Sequence, residues 1–200
     1  MSSALSILLL GLLAGCSITH PSSDRSSSSS VPICSGYGCV FKESFTPSAR
    51  ERARLKDVMA AGSSSPKAER RALGRAIAMM ERSARRHLGF AADAPLSAQK
   101  HANVRGQMDC FDESDNTQTY LFWLKRQGFL RYHKPLRRVG QRGFLLDGRY
   151  PHKTALVRSS DGTVWAVDSW RGRDGQPPEI MRFTRWKTSD SSDFPYDPSA

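Results

Sequence analysis

The alternation of apolar and polar positions changes character several times along the chain. Residues 5–13 form an apolar run broken only by Ser6 and Gly11, the length of a signal-peptide core and too short to cross a bilayer. No run approaches the roughly twenty apolar residues that a transmembrane helix needs. Residues 17–30 hold eight serines, with Ser26 to Ser30 in a row, and predict a flexible polar linker. From Thr46 the spacing turns helical. Thr46-Pro47 pairs an N-cap residue with a proline suited to the first helical position, Leu55, Val58 and Met59 share a face, and Gly62 is a stop signal. Ser65-Pro66 repeats the start, the stripe Leu73, Ile77, Met80, Ala84 and Leu88 follows, and Gly89 ends it. Residues 46–89 therefore predict an antiparallel helical hairpin.

A third helix is predicted from residue 109 to about residue 127, with Gly128 closing it. Asp109 can cap its first N–H groups, Asp112 completes a capping-box-like pair, and Lys125 and Arg126 suit the C-terminal end of the dipole. Residues 120–124 supply its buried face. Beyond it the period becomes two. Residues 154–157 and 163–167 read as strands joined by the turn Ser159-Ser160-Asp161-Gly162, and residues 180–183 could add another. Helices followed by antiparallel strands predict one α+β domain over residues 34–187, with its core at residues 108–186. Residues 188–200 predict a loose tail.

Composition narrows the class. The 200 residues leave room for one domain and its tails, and 38% hydrophobic with 24% charged residues excludes a wholly disordered chain. Thirty Lys and Arg against nineteen Asp and Glu leave +11, which points to acidic or phosphate-bearing surroundings. Between residues 50 and 86 there are eleven basic residues and four acids. The plain reading is a solvated outer face, and the sharper one is contact with lipid phosphates or an acidic partner. Leu13-Ala14-Gly15-Cys16 resembles the lipobox of bacterial lipoproteins. The resemblance implies removal of residues 1–15, diacylglycerol on the Cys16 sulfur and an acyl chain on its amine, giving stable membrane anchoring. Residues 16–33 would then be a lipidated tether. Ser17 after the cysteine implies the outer membrane, with the domain facing the periplasm, where nucleic acid is not an expected partner.

Exported proteins oxidise their thiols in pairs. Cys34 and Cys39 flank a Ser-Gly-Tyr-Gly loop and are the natural pair, although a link from either to Cys110 stays open. Cys110 is otherwise left over, at the first position of the third helix. His152 and Asp168 lie eight residues on either side of Ser160, so the hairpin brings them to one end within imidazole-to-carboxylate reach. A thiol at a helix N-terminus beside an imidazole has its pKa lowered from about 8.5 toward neutrality. His152 would take and return the thiol proton, Asp168 would orient the imidazole, and the Cys110 backbone N–H would bind an oxyanion. Gln107 is a candidate second donor. Asp109, Asp112 and Glu113 oppose thiolate formation.

Asp109-Cys110-Phe111-Asp112, Pro151-His152-Lys153-Thr154-Ala155-Leu156-Val157 and Trp165-Ala166-Val167-Asp168-Ser169-Trp170 together resemble the bacterial transglutaminase-like cysteine peptidases of the papain and transglutaminase fold group. The resemblance covers about a third of the chain. It implies Cys110, His152 and Asp168 as nucleophile, base and orienting acid, acting on amide bonds of a periplasmic protein or peptide, by hydrolysis or by acyl transfer to an amine. Some relatives carry a glutamate after the cysteine in an acidic cluster that can bind calcium. Phe111 stands there in this chain, so no cofactor or metal is expected. Asp168-Ser169 also stands where relatives carry Asp-Asn. The rival expectation is a non-catalytic envelope lipoprotein, an anchored binding module using its basic helices.

Overall fold

A computed structural model of the chain describes residues 29–95, 99–143 and 151–189. The expected signal segment, Cys16, most of the expected serine linker and residues 190–200 of the expected tail lie outside the described residues. Among the described residues the architecture is α+β, with four α-helices and antiparallel sheets.

The folded unit opens earlier than residue 34. Strands β1 (Val31–Ser35) and β2 (Phe41–Phe45) pair antiparallel, Val31 opposite Phe45. Val31, Ile33 and Phe45 point into the core. Five residues interrupted by Pro32 carry too little alternation to stand out beside a serine tract, and Pro32 is tolerated because this two-stranded ribbon exposes it.

Helix α1 (Ala49–Ala60) starts two residues later than expected, with its cap at Ser48 rather than Thr46. Ser48 caps it through a reciprocal box with Glu51, which accepts the Ser48 N–H at 2.8 Å. Helix α2 (Pro66–Leu88) has Ser65 as N-cap, Pro66 at its first position and left-handed Gly89 at its end. The two helices run antiparallel. Glu51 near the start of α1 meets Ser83 and Arg86 near the end of α2, and a Cβ on Gly62 would lie 2.5 Å from Ala72 Cβ near α2's start. Helix α3 (Cys110–Arg126) is capped by Asp109 and followed by Gly128 at φ +73°.

Strands β3 (His133–Pro135) and β4 (Gly140–Arg142) lie end to end along one edge of β5 (His152–Ser159). β6 (Val164–Asp168) and β7 (Glu179–Arg182) continue the sheet on its other side. Ala155, Val157 and Val167 face the core built by α2, α3 and β1, while Leu156 and Ala166 face a smaller cluster with Trp186. β5 is therefore covered on both faces, which is why residues 155–157 read as a continuous apolar run. Trp186 belongs to α4 (Phe183–Thr188), a helix the apolar pattern did not predict. Phe183, expected to close a strand, opens this helix, and Ser189, expected in the loose tail, is buried.

Candidate active site

Asp109 is the residue from which the site is built. Its carboxylate accepts the Phe111 and Asp112 N–H groups at 3.0 and 2.9 Å, and its carbonyl accepts that of Glu113. The N–H of Cys110 is the one this cap leaves untaken. Asp112 does not complete a capping box. Its two oxygens instead accept the Tyr37 and Cys39 N–H groups at 2.8 and 2.6 Å. Residues 36–39 all have φ between +62° and +88°, and the loop turns these donors toward the helix. Cys34 and Cys39 are joined as a disulfide, and Cys110 is free and buried.

The β5–β6 register pairs Ala155 with Val167. One further step sets Asp168 across from Thr154, with His152 its diagonal neighbour on the same face. His152 Nε2 donates to Asp168 Oδ2 at 2.7 Å. The Trp186 indole N–H donates to the same oxygen at 2.7 Å, and the Trp170 N–H reaches Oδ1 at 3.3 Å. Burial would raise the Asp168 pKa, but His152 first, then the Trp186 N–H and the charge of Arg171, outweigh it and hold the carboxyl below its ordinary value. An anionic Asp168 makes Nε2 the protonated nitrogen of the neutral ring, leaving the lone pair on Nδ1. Nδ1 is buried and has no hydrogen-bond partner among the described residues. The ring packs against Trp170 and Trp186, with centroids 4.5 and 5.4 Å away, which fixes its plane.

Cys110 is 4% exposed. The backbone N–H of Lys153, next in the chain to His152, is turned toward its sulfur and favours the thiolate, so the thiol lies near the start of β5. Its pKa moves opposite to the expectation from its helix position. Burial pushes it up to about 11, Asp109 and Asp168 add to the rise, and the Lys153 N–H and ammonium offset only part of it. The resting thiol is therefore neutral. Beside it Phe111 is exposed, and the Lys153 ammonium lies 3.7 Å from the centre of its ring.

Gln107, expected as a second donor, has its amide tied to the segment before α3. Its amide donates to the Ala92 carbonyl at 3.1 Å and accepts the Ala94 N–H at 3.4 Å, while Asp93 accepts the Met108 N–H at 2.9 Å. Gln107 braces the segment leading into α3. Both Asp112 oxygens and Asp109 Oδ1 accept backbone N–H groups. Cys34, Cys39 and Asp112 bring ligand-type atoms within 4.8 Å of one another, but both sulfurs are in the disulfide.

No protein-family model, curated protein or solved structure matches this chain. The site rests on its own geometry.

Two features of that geometry escaped the sequence pattern. Trp186 comes from an element that was not foreseen. Arg142 of β4 holds that element in place, donating to the Ser189 hydroxyl at 2.7 Å and lying 4.9 Å from the Trp186 ring. Behind α3, Glu81, Asp93, Glu113 and Asp174 line a cavity of about 10 Å³ with Tyr120. Burial, and then mutual repulsion, raise Glu81 to about 8, Asp93 to about 7 and Glu113 well above an ordinary glutamate. Four separate segments contribute these acids, so no local spacing could announce them.

Proposed function

We propose that this chain is a membrane-anchored transglutaminase-like cysteine hydrolase acting on amide bonds of a periplasmic protein or peptide. The observation that carries this reading is the buried His152–Asp168 pair, with Nδ1 left open, together with a free cysteine at a helix N-terminus that is influenced by Asp168 and by Lys153, the residue after His152. When a substrate carbonyl approaches Cys110, His152 Nδ1 takes the thiol proton and sulfur bonds to the carbonyl carbon. The oxyanion meets the Cys110 backbone N–H, and Asp168 stabilises the imidazolium. Nδ1 then protonates the leaving amine, and water, or an amine in acyl transfer, attacks the thioester. Because the resting thiol is neutral, proton removal belongs to the substrate complex rather than to a stored thiolate. Anchoring through acylated Cys16 to the outer membrane is part of the same proposal and rests on the lipobox resemblance.

A quenched fluorescent peptide library, incubated with the full chain, tests the chemistry. Cleavage by the wild type and none by Cys110→Ala is the expected result; cleavage that survives the substitution would end the proposal. The burial of Cys110 favours one other reading, that of an anchored binding module with a silent site. Its basic face would then hold an acidic partner with an affinity that falls as salt rises, while the library stays intact.

A further inference from the structure

The six residues from Cys34 to Cys39 touch the nucleophile helix and its approach at more points than a surface loop needs. Asp112, fully buried, accepts two of the loop's N–H groups. Asn116, one turn further along α3, accepts the Cys34 N–H and donates to the Cys34 carbonyl, both at 2.8 Å. On the side of the segment entering α3, the Gly36 N–H donates to the Gln107 carbonyl at 2.7 Å, the Asn103 N–H to the Gly36 carbonyl at 3.1 Å, and the Gly106 N–H to the Ser35 hydroxyl at 3.1 Å. The loop thus holds the chain on both sides of Cys110.

Its conformation is costly. Tyr37 and Cys39 are non-glycine residues with φ of +69° and +62°, flanking Gly38 and following Gly36 at φ +88°. A non-glycine residue in this region is strained and persists only where its surroundings enforce it. The Cys34–Cys39 bond closes the loop and removes the open-chain alternatives into which it would relax. The cysteines are neither fully buried nor fully exposed, so a dithiol can reach them.

We propose that the Cys34–Cys39 loop is the positioning element of α3, and that opening its disulfide releases the first turn and uncovers Cys110. The proposal deepens the hydrolase reading and rests on it only for the consequence to turnover. Opening is a two-electron reduction by a dithiol. A thiolate attacks one sulfur to form a mixed disulfide, the second thiol displaces it, and the two loop sulfurs leave as thiols carrying the dithiol's protons. Asp112 then faces a loop free to turn its N–H groups away, and the turn carrying Cys110 loses its anchor.

The test uses the full chain in three forms: oxidised wild type, Cys34→Ser with Cys39→Ser, and wild type reduced by a phosphine, which removes dependence on the variant's folding. Amide hydrogen exchange over residues 110–114 and iodoacetamide labelling of Cys110, read by peptide mapping, are followed with circular dichroism. In both opened forms, exchange and labelling at neutral pH are expected to rise about tenfold or more. The pH profile of labelling should also move down toward that of an ordinary thiol, while helix content is retained. Asp112→Asn, with the disulfide intact, should give a smaller change in the same direction, and Asp115→Asn none. Unchanged exchange and labelling in the opened forms would overturn the proposal whether or not the protein cleaves peptides. The expected changes in a protein that cleaves nothing would leave the clamp standing and remove the hydrolase reading.

Discussion

At the scale of single residues, the site is defined by how the two ends of one imidazole are used. Nε2 is committed to Asp168 at 2.7 Å, and Nδ1 is left open. Asp168→Asn keeps the shape and removes the charge. The amide no longer dictates which nitrogen carries the proton, so turnover of any peptide the wild type cleaves is expected to fall by about three to four orders of magnitude. A loss under tenfold would make Asp168 a packing residue. Trp186→Phe keeps the ring against His152 and removes only the N–H to Asp168. A hydrogen bond to a charged group contributes about 1.5–3 kcal/mol, and since the imidazolium feels this through Asp168, a loss of about tenfold is expected. The thiol gives a second prediction. With its pKa raised to about 11 by burial, labelling of Cys110 in the folded oxidised protein should still be climbing with pH above 9. A plateau by pH 8 would show a stored thiolate.

At the scale of elements, the sequence was legible where one local signal determined one structure. Ser65-Pro66 and Gly89 bound α2, Asp109 starts α3, and Ser159 to Gly162 turns β5 into β6. It was not legible where a short element is held by partners distant in sequence. β1 is five residues with Pro32 among them, α4 is six, and β3 and β4 are three each. The site followed the same rule. Cys110, His152 and Asp168 could be read from a cap and a hairpin, whereas Trp186, the Asp112 contacts and the acids behind α3 depend on tertiary packing. Proximity in sequence says nothing of where an amide points, and that of Gln107 is tied to Ala92 and Ala94. β3 shows how such an element is held. Glu69, buried in the first turn of α2, accepts the N–H groups of Arg131, Tyr132 and His133, and it meets His133 Nδ1 at 2.8 Å. Burial alone would raise its pKa; the donors, led by His133, lower it instead. Glu69→Ala strands three backbone donors and a buried imidazole and should cost about 3–5 kcal/mol in chemical denaturation. Glu69→Gln, which keeps an acceptor, should cost less.

At the scale of the whole molecule, buried carboxyls of opposite tendency set the pH at which the fold is most stable. Glu81 at about 8, Asp93 at about 7 and Glu113, held well above its ordinary value by burial, keep protons in the folded state that they release near pH 4 in an unfolded chain. Between those limits the folded protein binds more protons than the unfolded one, so stability falls as pH rises from about 4 through 8. Glu69 and Asp168 act in the other direction. Their folded pKa values are depressed, so their contribution is complete above about pH 4 and is lost as the pH falls through the lowered values. The two trends cross on the acid side of neutrality. The melting temperature should therefore be higher at pH 5 than at pH 8, despite the basic overall charge of +11, because raising the pH lessens the general positive repulsion while ionising the acids packed behind α3. Glu81→Gln separates the local cause from the general one. It removes one titrating group from the cavity and should flatten the decline between pH 5 and 8, whereas Asp57→Asn removes an exposed carboxyl outside it and should leave the slope as it is. Equal slopes in all three proteins would place the pH dependence outside the cavity.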